Sequence, residues 1–191
     1  MNVFSKTVDG IEMNPWDLDS RIVTVECIGR VLARINRYAG HWVNPISVAR
    51  HCLTLARNLE LDGHTPMVQL QGLMHDATEA YTQDIPSPLK SCLLIELPAT
   101  TEQLASNFPS VRNSVSYAEF ENDFLGRIFE RLMIQWPIHP AVWREDTAAY
   151  NEEIHVIQGY QRGAANDPSM VERLFINRAY SLMSLCGIKV P

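Results

Sequence analysis

The chain has 191 residues, 46% hydrophobic and 20% charged, which predicts one globular domain with a real core and argues against a disordered or low-complexity protein. Its formal net charge of −6 excludes a general nucleic-acid surface, where clustered Lys and Arg would be needed to release counterions. No apolar run of about 18 residues exists and residues 1–10 lack the apolar stretch of a secretory signal, so a soluble, cytoplasmic protein without membrane partners is expected.

Residues 1–20 carry Gly10, Pro15 and several short polar residues without helical periodicity, and read as an N-terminal extension made of a loop or short hairpin. Residues 21–191 then form the single domain. Ile22, Val25, Ile28, Leu32 and Ile35 step by three or four, predicting an amphipathic helix over 22–38 that ends before Gly40. Asn44-Pro45 reads as a cap and first-turn proline for a second helix, with His51 in its middle and Asp62-Gly63 at its end. Thr65-Pro66 repeats that start signal, and Val68, Leu70, Leu73, Met74 and Ala77 carry a third helix through His75-Asp76 to about residue 83, before Pro86 and Pro88.

Residues 87–114 are broken by Pro98 and Pro109, which leaves a short helix near 100–105 inside a crossing segment or lid. Tyr117, Phe120, Phe124, Ile128, Leu132 and Ile134 mark a long helix closed by Trp136-Pro137. Further helices are predicted over 140–160, carrying Asp146, and over 169–185, opened by Asp167-Pro168 and stopped at Gly187. With no competing strand pattern, the expected fold class is all-α.

The run from Leu73 to Pro86 crowds His75, Asp76, Glu79 and Asp84 together. On a continuous helix Glu79 lies four residues from His75 and three from Asp76, so all three face one cavity. His51, His75, Asp76 and Asp146 would then converge from three helices, as ligands do in the interiors of helical proteins. A mixed nitrogen and oxygen set suits a divalent ion such as Zn, Co, Mn, Ni, Fe or Mg and leaves positions open for water and substrate. Cys27, Cys52, Cys92 and Cys186 are far apart with no C-x-x-C and read as buried free thiols. His64, His139 and His155 read as structural.

The order His51, then His75-Asp76, then a distant Asp146 resembles the H…HD…D signature of the HD-domain metal-dependent phosphohydrolases. Residues 34–41, 47–51 and 75–90, with their Asp84-Ile85-Pro86 run, resemble the compact bacterial and phage branch that includes 5′-deoxynucleotidases and phage dATP triphosphohydrolases. The likeness covers roughly 22–160, with little from 91–114. It implies an HD-domain helical bundle with a metal site between helices, a divalent ion on His51, His75, Asp76 and Asp146, and Glu79 and Asp84 handling water and protons. Asp146 is preferred to Asp123 because Trp143-Arg144-Glu145-Asp146 followed by Glu153 fits the closing helix of that family.

Arg37 and Lys90 are candidate phosphate contacts, Arg by its bidentate fork and Lys as a point charge. His41 and Trp42 are further candidate substrate contacts, Tyr81 a candidate stacking ring, and Ile85 and Pro86 candidate pocket walls. The expected function is metal-dependent hydrolysis of phosphate from a nucleotide, most simply a deoxynucleotide, either as a triphosphohydrolase or as a 5′-deoxynucleotidase. The rivals are a phosphodiesterase of signalling nucleotides and an HD-fold nucleotide-binding protein without turnover, the latter disfavoured by the intact Glu79 and Asp84. Self-association as a homo-oligomer is expected of so small a helical enzyme.

Overall fold

The computed structural model describes residues 5–6, 10–13, 21–41, 45–96, 114–158 and 167–190, which are mostly helical. A two-residue ladder of β1 (Ser5–Lys6) against β2 (Glu12–Met13) makes the short hairpin in the N-terminal extension. The next element, α1 (Val25–Leu32), starts where the Thr24 hydroxyl accepts the Cys27 N–H at 3.1 Å. It ends at Leu32, well short of the apolar period. Ile35 is still buried, but the backbone around it has left the helix: Arg37 N–H donates to Ile46 O and Val48 N–H to Ile35 O, both at 2.9 Å, around an antiparallel bridge between Asn36 and Ser47. The following 3-10 turn, Arg37–Gly40, holds Tyr38 at φ 59° and Ala39 at φ 52°, a left-handed conformation that costs an L-residue roughly 1–2 kcal/mol.

The bridge also moves the start of α2 (Val48–Leu61). Its cap is Ser47, whose hydroxyl accepts the Arg50 N–H at 3.3 Å; Pro45 precedes the helix and Asn44 lies outside the described residues. By contrast α3 (Pro66–Met74) opens as expected, with Thr65 at the cap and Pro66 in the first turn. It stops at Met74 and does not carry through the His-Asp pair. From there the N–H groups of Ala77 and Glu79 donate to carbonyls three residues back, both at 3.0 Å, so the chain tightens into 3-10 turns leading into the short α4 (Glu79–Thr82).

A second short helix, α5 (Ser87–Lys90), leads to β3 (Leu94–Glu96), which pairs antiparallel with β4 (Ser114–Ser116). The two small ladders leave the described residues mostly helical, in keeping with the all-α expectation, and the helix foreseen near 100–105 lies outside those residues. Three long helices complete the fold. They are α6 (Tyr117–Arg131), opened by a reciprocal Ser116–Glu119 capping box, α7 (Pro140–Gln158), and α8 (Pro168–Leu185), capped by Asp167 and closed by Gly187 at φ 74°. None of the helices among the described residues is long and apolar enough to cross a membrane.

One apolar core joins α1, α2, α3, α6, α7 and α8, with Ile28, Leu55, Leu73, Phe124 and Phe175 fully buried in it. The most extensive contact between two elements is that of α2 with α3. A Cβ built on Gly72 would lie 2.5 Å from both Leu55 Cδ2 and Leu59 Cδ1, so any larger residue would force both buried leucine side chains to shift. This approach fixes the distance between the helix that carries His51 and the one that ends in His75. Gly72→Ala is expected to lower stability by about 1–2 kcal/mol net, because overpacking outweighs the roughly 1 kcal/mol that Ala gains over Gly as a helix former. Urea denaturation measures this, and an unchanged midpoint would mean that α2 and α3 have room to spare.

Candidate metal centre

His51 is the fourth residue of α2, His75 is the cap that ends α3, and Asp76 begins the 3-10 turns after it. Ligand atoms of these three residues lie within 4.8 Å of one another. Asp146, on α7, reaches the same point: its Oδ1 is 3.0 Å from His51 Nε2 and 3.6 Å from His75 Nε2. Asp76 completes the group, with Oδ1 3.2 Å from His75 Nε2 and Oδ2 3.9 Å from His51 Nε2. The four residues singled out as ligands are thus brought together by three helices. Asp123, the carboxylate passed over, is exposed and paired with Arg127 one turn along its own helix.

Both imidazoles turn the same nitrogen inward. His75 Nδ1 donates to Gly72 O at 2.8 Å, satisfying one of the carbonyls left over at the end of α3. His51 Nδ1 meets Glu153 Oε1 at 2.8 Å. Each ring is therefore held from behind, with Nε2 aimed at Asp76 and Asp146, an arrangement typical of metal-ligating histidines. His75 Nε2 is buried without a well-formed hydrogen bond among the described residues. An orphaned nitrogen between two carboxylates is what a divalent cation would satisfy, and the donor set fits one.

The electrostatics follow from this crowding. Burial alone would push both imidazoles down, but the hydrogen bonds of His51 to Asp146 and Glu153, and the Asp76 charge beside His75, hold both above the ordinary value. Burial would raise Asp76, yet the charges on His75, His51 and Arg37 bring it down to about 2. Cys52 lies 3.9 Å from His75 Nδ1, the ring nitrogen turned away from Asp76 and Asp146, and burial pushes its thiol up to about 11.

Glu79 differs from its neighbours. It is 4% exposed, its Oε2 has no hydrogen-bond partner among the described residues, and its Oε1 is 3.3 Å from Lys90 Nζ. Burial first and the Asp76 charge second push its carboxyl up to about 9 against the pull of Lys90. Lys90 in turn donates to Glu121 on α6 at 2.8 Å. Asp84 follows α4, where its Oδ2 accepts the Tyr38 N–H at 3.1 Å and burial raises its carboxyl.

Arg37 is drawn in beside the centre with a side chain only 13% exposed: Nε donates to Glu153 Oε2 at 3.0 Å and Nη1 lies 3.7 Å from Asp76 Oδ2. His41 and Pro86 are exposed, Ile85 is half-buried against the core, and Trp42 lies outside the described residues. Tyr81 is structural, its hydroxyl donating to Ile22 O at 2.8 Å and its ring against Phe124. The thiols are free, but only Cys27 and Cys52 are buried, with Cys92 exposed and Cys186 half-buried. Three participants carried no assigned role from the sequence: Glu153, Glu121 and Tyr38, whose hydroxyl donates to Glu153 Oε2 at 2.8 Å. Glu153 had a signal, standing seven residues, two helical turns, after Asp146 on one face of α7.

A buried acid raised in the folded state stabilises the fold fully below its unfolded value, near 4.5, and loses that contribution as pH climbs toward about 9. Chelator-stripped protein should therefore lose stability over this window. Glu79→Gln, neutral at every pH, is expected to be more stable than the parent by about 1–2 kcal/mol near pH 8 and to match it near pH 5. Thermal melts at the two pH values check this; an equal deficit at both would place Glu79 outside the linkage.

No family model matches the chain. Over 90 residues it is 36% identical to the uncharacterized protein YfdR of Escherichia coli (strain K12), a match covering 47% of this chain and 48% of that protein. The chain thus spans about half the length of the curated relative it matches.

Proposed function

We propose that the protein is an HD-domain hydrolase that uses a divalent ion to cleave phosphate from nucleotides, with deoxynucleotides as the preferred class. The observation that carries this reading is the pair of imidazoles held from behind at Nδ1, their Nε2 atoms converging on Asp76 and Asp146 beside a buried acid. His51, His75, Asp76 and Asp146 would hold the ion, which when bound supplies Lewis acidity at a phosphoryl oxygen and lowers the pKa of water. The resemblance of residues 34–41, 47–51 and 75–90 to the nucleotide-cleaving branch of the family supports the substrate class.

The chain's own groups divide the remaining work. Arg37, with Nε fixed on Glu153, turns its terminal nitrogens toward Asp76 and would orient a phosphate there by paired hydrogen bonds. Glu79, whose carboxyl is raised first by burial, is suited to give a proton to a leaving oxygen. Lys90, shared between Glu79 and Glu121, sets the field at that acid and is less suited to a direct phosphate contact. Asp84, tied to the Tyr38 N–H, holds the Arg37 turn against the centre as well as offering a second carboxylate for water.

A panel of ribo- and deoxynucleotides with one, two or three phosphates, assayed with Mn, Co, Zn and Mg, tests the reading. Release of phosphate with nucleoside identifies a 5′-nucleotidase, and release of tripolyphosphate a triphosphohydrolase. Asp76→Ala is expected to lose both the ion and the activity, and Glu79→Gln to keep the ion while kcat falls by about 10²–10⁴-fold. Metal-loaded protein that binds nucleotides without turning any over would instead favour a nucleotide sensor.

A further inference from the structure

A carboxylate can stand beside a metal centre as a ligand, as a base, or as a support for a ligand. Glu153 has only the last role open to it. Its Oε1 lies 2.8 Å from His51 Nδ1, on the side of the ring away from Asp76 and Asp146. Its Oε2 accepts from Arg37 Nε at 3.0 Å and from the Tyr38 hydroxyl at 2.8 Å. Both oxygens are therefore committed to donors, and neither is turned toward His51 Nε2.

We propose that Glu153 is a positioning residue that fixes His51 as the Nδ1–H tautomer, with its Nε2 lone pair toward the ion, and holds Arg37 in register with that ring. The proposal rests on the metal reading of His51, His75 and Asp76 and is independent of which phosphate is cleaved. A neutral imidazole carries one proton, so a lone pair at Nε2 requires the proton at Nδ1. A carboxylate accepts and never donates, so Glu153 stabilises that tautomer and penalises the other. It also does more than Gly72 O does for His75, because a charged acceptor makes the opposite nitrogen a stronger donor to metal.

The second oxygen extends the effect beyond the ring. Arg37 and Tyr38 belong to a turn held in left-handed conformations, and Glu153 draws both side chains to the carboxylate that orients His51. One group thus aligns a metal ligand with the cation beside it. Three donors face Glu153, so glutamine is not a neutral replacement: an amide offers one accepting oxygen and sets an NH₂ against the donors that remain.

Zn²⁺ affinity of chelator-stripped protein, measured by competition with a chromophoric chelator and without nucleotide, tests the proposal. Glu153→Gln and Glu153→Ala are expected to bind about 10–100-fold more weakly than the parent while circular dichroism stays native. Glu145→Ala, which removes a carboxylate of the same helix that accepts from Asn58 Nδ2, is expected to leave affinity unchanged. In ¹⁵N-histidine spectra of the zinc-loaded parent, one Nδ1–H signal should be absent or exchange-broadened in Glu153→Ala. If the alanine variant does not fold, Glu153→Gln alone decides.

Parent-like affinity in folded Glu153→Gln would overturn the proposal, and so would a parent protein that binds no ion. Weaker binding in the variants together with a parent that cleaves no nucleotide would leave Glu153 in its role and remove the proposed function.

Discussion

Two imidazoles and two aspartates share a space of a few ångströms, with both rings buried, Asp76 largely so and Asp146 a third exposed. Burying such charges is costly unless each finds a partner, and His51, His75, Asp76 and Asp146 partner one another around a single point. The geometry is supplied from outside that point. Gly72 lets α2 and α3 touch, its own carbonyl turns the His75 ring, and Glu153 turns the His51 ring from α7. Helix packing and ligand orientation therefore share residues.

Strain is stored next to this centre, in the turn that carries Arg37. Tyr38 and Ala39 adopt left-handed conformations unfavourable for side-chain-bearing residues, and Asp84 and Glu153 hold Tyr38 there from its backbone and its hydroxyl. Such strain persists only where surrounding contacts over-determine it. Here they do so with two carboxylates from opposite sides of the chain, and the result is an arginine drawn inward to a cluster of acids.

Much of this was legible in the sequence where local chemistry decides. Thr65-Pro66 and Asp167-Pro168 opened helices and Gly187 closed one, because caps and φ constraints act within a few residues. The four residues that cluster at this point were singled out by their types and order. The ends of α1 and α3 were not, for different reasons. The apolar period continues to Ile35 although the backbone there pairs with the segment before α2, and tightening into 3-10 turns at His75 leaves no periodic mark. Lys90 with Glu121, and Arg37 with Glu153, are pairings between distant segments that no local pattern announces.

The 3-10 turns after His75 bear on how this site can vary. At three residues per turn, positions three apart eclipse one another, so Asp76 and Glu79 leave the chain on the same side, one full turn apart. The spacing between Asp76 in the cluster and the buried acid Glu79 is then quantised. Adding or removing a single residue between them would break the Glu79 N–H to Asp76 O bond that closes this turn and move Glu79 from Lys90. Changes of chain length have to fall elsewhere, and the interval from Asp76 to Glu79 acts as a fixed ruler within an otherwise adjustable chain.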